Sequence, residues 1–288
     1  MSKLVPKSQV KRRKVACHSG NHGRPQNIFP SETHSHRKDV VRSDWFSKLT
    51  VSFYQFLYIL THFDAKVFIV TGGASGLGFE LVNILYARNG KVYRAGRSED
   101  KALAATKAIK SKHPESTGQI IFLHLDLNDL STIRKSANEF LAKETRLDVL
   151  FNNAGVMVPP QGSKTAQGYE LQLGTNNLAP FLFTTLLTPL MAKTATTAPK
   201  DSVRVVWVSS SAVISAPKPA VDFDNMDYHK EEGIWTKYSR SKAGLVIYAA
   251  EFARRTSGQG IINIVSLEYS FFCGSIEYRA GAAYGDID

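Results

Sequence analysis

From position 65 onward the chain alternates between short, continuously apolar runs and longer stretches whose apolar residues recur every three or four positions. The apolar runs are 67–70, 92–95, 120–125, 149–151, 203–208 and 261–267. Helical spacing marks 77–88, 101–112, 130–143, 171–194 and 235–254. Strands that are apolar throughout and separated by helices predict a parallel sheet covered on both faces. With right-handed crossovers the expected fold class is α/β, a doubly wound Rossmann sheet. Asn89-Gly90 predicts the end of the first helix. No internal repeat is evident.

Where the first strand meets the first helix, the chain reads Thr71-Gly72-Gly73-Ala74-Ser75-Gly76-Leu77-Gly78. A glycine-rich strand-to-helix turn lets backbone approach a pyrophosphate and aims a helix N-terminus at its charge. Gly72, Ser75, Gly76, Leu77 and Gly78 are therefore candidate dinucleotide contacts. In such folds an acid at the end of the second strand binds the adenosine ribose hydroxyls. Here that strand reads Val92-Tyr93-Arg94-Ala95-Gly96-Arg97, with Gly96 in the acid's place and a guanidinium after it. Arg97 can pair with a 2′-phosphate that a carboxylate would repel, so NADP(H) is the expected cofactor, in preference to NAD(H). Farther on, Tyr238 and Lys242 stand four apart in a helical stretch, placing a phenol and an ammonium on one face.

The net charge of +11 changes this picture little, because +8 of it falls within positions 1–42, with ten Lys/Arg against Glu32 and Asp39. That stretch holds Lys11-Arg12-Arg13-Lys14 and few large apolar residues, so 1–44 reads as a basic disordered tail. A nuclear address, an acidic partner or loose nucleic-acid binding are its functional readings; a solvated appendage is the plainer one, and no specific nucleic acid is expected. Cys17, His18 and His22 lack a second ligand pair, so no metal site is expected. Two cysteines, Cys17 and Cys273, give no disulfide framework, and a reducing, cytoplasmic setting follows. The aromatic lead-in at 45–64 is too short in its apolar middle to span a bilayer. It packs on its own domain or rests as a peripheral contact on a membrane through 45–63. The remaining domain, 65–288, carries the chemistry.

Taken in order, these motifs resemble the short-chain dehydrogenase/reductase family, and among its members the retinol-dehydrogenase-like and WW-domain-oxidoreductase-like ones. The glycine turn matches the family pattern. Asp126 after the third strand and Asn152-Asn153-Ala154-Gly155 after the fourth look like its adenine-side and sheet-stabilising motifs. Asn176, Ser210, Tyr238 and Lys242 are similar to its catalytic tetrad, and Asp126, Asn153, Ala154, Gly155, Tyr238 and Lys242 are also expected to contact the cofactor. The resemblance implies hydride transfer between nicotinamide and a carbonyl or alcohol substrate, a lipophilic one at the level of a family guess. Tyr238 would be the acid/base. A phenol of ordinary pKa ~10 is a sluggish base at neutral pH, and the Lys242 ammonium one turn away favours its phenolate. Ser210 would hydrogen-bond the substrate oxygen, and Asn176 would support a water relay. Relatives often pair through the helices that correspond to those bearing Asn176 and Tyr238, whereas membrane-associated ones need not, so the resemblance leaves a homodimer open.

After Leu267 the likeness stops: Glu268-Tyr269-Ser270-Phe271-Phe272 stands where the family continues with a Pro-Gly turn. The remaining residues are too few for the usual substrate-covering helices and last strand, which are expected to be missing. Intact cofactor and catalytic residues with impaired closure over the nicotinamide are the expectation. The alternative is a dinucleotide-binding or interaction protein with weak or no turnover.

Overall fold

The structure, a computed structural model, describes residues 66–266. The expected tail, the aromatic lead-in and the divergent chain after Ser266 lie outside those residues.

Among the described residues six strands form the sheet: β1 (Val67–Thr71), β2 (Lys91–Gly96), β3 (Gln119–His124), β4 (Val149–Asn152), β5 (Val203–Val208) and β6 (Ile261–Ser266). Their order is β3-β2-β1-β4-β5-β6, and every neighbouring pair is parallel. Helices α1 (Gly76–Ala87) and α2 (Glu99–Lys112) cover one face. There Val82, Leu85 and Ile109 pack on Phe68, Val70, Val92 and Val149. Helices α3 (Leu130–Lys143), α4 (Leu171–Ala195) and α5 (Ile234–Arg255) cover the other. Ile133, Phe140, Phe183, Leu187 and Phe252 meet Ile69, Leu150, Val205 and Trp207 on that side. Both faces of β1 are thus buried, which explains why its sequence is apolar throughout rather than alternating.

The order reverses beside β1, which has β2 on one side and β4 on the other. At such a switch point the connections leave in opposite directions, and a crevice opens at the carboxyl ends of the strands. The glycine turn leads from β1 into that crevice. At the opposite end, the buried Asp148 carboxylate accepts the Val67 N–H (2.9 Å) and the Arg146 Nε–H (2.9 Å), tying β1 to β4.

Each predicted element lies within a residue or two of the observed one. The first helix stops at Asn89-Gly90 as expected, with Asn89 in the left-handed conformation at φ 63°. Gly90 is required for close packing, because a Cβ there would sit 2.9 Å from the Leu85 carbonyl oxygen and 3.0 Å from the Phe68 ring. The long helix predicted at 171–194 differs in containing a π turn, Gly174–Leu178, near its start.

Candidate active site

The chain leaves β1 through Gly72, whose φ of 70° suits glycine and whose N–H donates to the Ala95 carbonyl (2.8 Å). Gly76 starts α1 at φ 54°, and nothing lies within 4 Å of where its Cβ would be. Ser75 is the N-cap in extended conformation, but its side chain makes no capping bond, and the first turn of α1 carries no acid. A helix start of this kind leaves N–H groups without intrahelical partners and no carboxylate to repel an anion. A dinucleotide pyrophosphate fits this cradle, with Gly72, Ser75, Gly76 and Leu77 as the residues to hold it. Gly78 has a different task. A Cβ at this position would overlap the Gly72 carbonyl oxygen and lie 2.6 Å from Asn153 Nδ2, so its bare Cα brings helix and strand ends together.

Thr71 ties the turn to the end of β4. Its hydroxyl donates to the Phe151 carbonyl (3.2 Å) and accepts from the N–H groups of Asn153 (3.0 Å) and Ala154 (2.9 Å). Asn153 Nδ2 answers by donating to the Thr71 carbonyl (2.8 Å). The next residue, Gly155, borders the other group of polar side chains. A Cβ on it would stand 3.1 Å from Asn176 Oδ1 and 3.7 Å from Lys242 Nζ. Within three residues the chain therefore passes from the glycine turn to the acid–base candidates.

Asn176 lies in the π turn of α4 and is 1% exposed. Its Oδ1 accepts the Val156 N–H (2.8 Å), while Nδ2 donates to the Val156 carbonyl (2.9 Å) and to Ser241 Oγ (3.0 Å). Next to it, Asn177 Nδ2 donates to the Ser241 carbonyl (2.9 Å). These bonds fasten α4 to α5 one residue ahead of Lys242. Tyr238 and Lys242 are both buried, and Lys242 Nζ stands 5.7 Å from the Tyr238 ring centroid. The ammonium also donates to the Val208 carbonyl (3.0 Å), which binds it to the end of β5.

Beyond β5 come two serines with different surroundings. Ser209 Oγ donates to the Lys242 carbonyl (2.7 Å), so its proton is committed. Ser210 Oγ accepts the Ala212 N–H (3.2 Å) and caps the short helix Ser211–Ser215, a contact that uses an oxygen lone pair and leaves the proton for another acceptor. On the adenosine side, Gly96 ends β2 with open space at its Cβ position, and Arg97 is exposed. Asp126, two residues past β3, is half-buried and accepts the Asn128 N–H (2.9 Å). Three large apolar side chains close to these groups along the chain are exposed: Met157, Ile214 and Trp235. The Trp235 ring meets the Tyr238 ring edge-on, with centroids 6.3 Å apart.

Sequence reasoning missed Thr71, Ser209 and Ser241, which position the groups it singled out. One signal was available for Thr71: a lone polar residue closes an apolar strand just before the glycines. Ser241 and Ser209 gave none, because their partners lie 65 and 33 residues away.

A family model described as short chain dehydrogenase matches residues 66–220. Over 203 residues the chain is 58% identical to the short-chain dehydrogenase/reductase pkfC of Emericella nidulans, an alignment covering 70% of this chain and 65% of the relative. The chain thus spans less than two thirds of that relative's length. Among solved structures, a protein from Mycobacterium paratuberculosis is 30% identical with TM-score 0.58, covering 71% of this chain and 68% of that one. Pseudomonas aeruginosa RhlG, solved as an active-site complex with NADP, superposes with TM-score 0.56 at 24% identity over 72% of this chain and 73% of its own, a likeness of fold. With its parallel sheet, its glycine turn and the match across more than half of its length, this chain belongs to the short-chain dehydrogenase/reductase family.

Proposed function

We propose that the chain is an NADP(H)-dependent oxidoreductase that interconverts an apolar carbonyl compound and its alcohol. One observation carries this reading. The run Asn153-Ala154-Gly155 abuts the glycine turn on one side and Asn176 and Lys242 on the other, so cofactor cradle and acid–base groups line one crevice. Bound there, the dinucleotide supplies or accepts the hydride at its nicotinamide ring. The chain's own residues handle the accompanying charge and proton. Tyr238 donates its phenolic proton to the developing alkoxide in reduction, and takes it back in oxidation. Lys242, with its ammonium against the same ring and shielded from bulk water, stabilises the phenolate that forms. Ser210 hydrogen-bonds the substrate oxygen with its free proton, whereas that of Ser209 is given to the Lys242 carbonyl. Asn176 holds Val156 in place with its backbone bonds and keeps a second Oδ1 lone pair toward Gly155 and Lys242, where it orients a relay water. Arg97 binds the 2′-phosphate and Asp126 the adenine, which favours NADP(H) over NAD(H).

The substrate class is read from the rim. Met157 follows the residue that Asn176 fixes, Ile214 lies in the turn that Ser210 caps, and Trp235 is one turn before Tyr238. Exposed apolar side chains on the segments that carry the polar centre suit a substrate with an apolar body and one carbonyl. A panel of aldehydes and ketones tests this with the full chain and NADPH. Aromatic or long-chain members are expected to turn over, and Trp235→Ala is expected to raise their KM by about tenfold while leaving a two-carbon aldehyde unaffected. Cofactor binding without turnover on any member would favour a binding protein instead.

A further inference from the structure

Arg94 is a charged residue in the middle of an apolar strand, and the role proposed above does not use it. It is 1% exposed. Its Cγ lies against the glycine turn, 2.9 Å from where a Cβ on Gly73 would be, so that glycine makes room for it. From there the guanidinium reaches α2, where Nη1 bonds the Ala102 carbonyl and Thr106 Oγ1 (3.0 Å for the latter). The other two nitrogens, Nε and Nη2, are buried without a hydrogen-bond partner among the described residues. Burial pulls the group's pKa down, to about 10, and no carboxylate among the described residues opposes that shift. A buried cation with no counter-charge is costly to keep, and apolar replacement of such groups is often neutral or stabilising.

The location suggests what offsets the cost. Arg94 lies three residues, roughly 10 Å of extended chain, before Arg97, between the glycine turn and the first turns of α2. A dinucleotide held by the glycine turn would bring its adenosine ribose toward the end of β2, on the side of this gap. We infer that Arg94 is a specificity-determining positive charge beneath the adenosine site, whose missing counter-charge is the 2′-phosphate of NADP(H). It acts with Arg97, the exposed guanidinium contacting the phosphate directly and the buried one acting through poorly screened space. The inference rests on the proposed preference for NADP(H) and adds a second residue to its cause.

The test is isothermal titration of the full chain with NADPH and with NADH, alongside the melting midpoint of each unliganded protein. Arg94→Met is expected to weaken NADPH binding by roughly tenfold and leave NADH unchanged, with an equal or higher midpoint. Arg94→Lys, which keeps the charge and loses the forked bonds, is expected to retain most of the preference. Should the Met variant not fold, Arg94→Gln, a neutral side chain able to bond Ala102, serves for the same comparison. Equal weakening of both cofactors, or no weakening of either, overturns the role of Arg94. That result is separable from failure of the broader reading. If the unmodified chain binds NADH as well as NADPH, the preference itself is absent. If it prefers NADPH and loses the preference only in Arg97→Ser, Arg94 alone is misassigned.

Discussion

Replacing Tyr238 by phenylalanine is expected to lower NADPH-linked carbonyl turnover by about 10²–10⁴-fold while the fold and cofactor binding persist. The substitution removes one oxygen from a side chain whose ring is buried between Lys242 and Trp235. Ring packing is unchanged, so the loss falls on proton transfer. Deleting the hydroxyl costs about 1 kcal/mol of stability, which moves the melting midpoint by roughly 2–4 °C in a domain of this size. Steady-state rates, cofactor titration and thermal melts on the same preparation separate the two effects. A variant that keeps its rate would remove Tyr238 from the chemistry. One that loses cofactor binding along with rate would make it a structural or cofactor-positioning group instead.

Gly78→Ala is expected to damage the site through the backbone. The new methyl group would overlap the Gly72 carbonyl oxygen and press on Asn153 Nδ2 at 2.6 Å. Neither obstacle can swing aside. One is main chain in the turn itself, and the other donates to Thr71 in the strap joining β1 to β4. Overpacking of this type costs about 1–3 kcal/mol, a fall of roughly 3–10 °C in the midpoint. Cofactor affinity should fall by at least about tenfold, since the misplaced atoms belong to the cradle. Gly76→Ala provides the contrast: no neighbour lies within 4 Å, and only its positive φ is penalised, at about 1 kcal/mol. If Gly78→Ala melted and bound cofactor like the parent chain, the close approach of helix and strand ends would not be what shapes this turn.

Much of this architecture was legible in the sequence because its cause is local. A strand buried on both faces must be apolar at every position, as Val67–Thr71 is up to its last residue, and α1 shows its buried face in the spacing of Val82, Leu85 and Tyr86. The glycine turn and the Tyr238/Lys242 pair were legible for the same reason, since each is a short-range pattern. Contacts between distant parts were not. The bonds of Thr71 to Asn153 join residues 82 apart, and those of Asn176 to Ser241 join residues 65 apart. No periodicity encodes them. The π turn at Gly174–Leu178 is a similar case: a local pattern reads as one long helix, while the turn carries Asn176 and Asn177, whose bonding to α5 involves a distant segment. Arg94 shows a different limit. A cation among the apolar residues of β2 is anomalous by type alone, but its surroundings at Gly73 and Ala102 come from separate elements. The bond of the Ser209 hydroxyl to the Lys242 carbonyl, 33 residues away, is a further long-range contact of the kind no local pattern encodes.

The central claim is that one crevice holds an NADP(H) cradle and the acid–base residues together. Its most direct test is the melting midpoint of the full chain with NADPH and with NADH at equal concentrations. A ligand that binds only the folded state raises the midpoint in proportion to the logarithm of its concentration over its dissociation constant. The account predicts stabilisation by NADPH well above that by NADH. No response to either cofactor would contradict it.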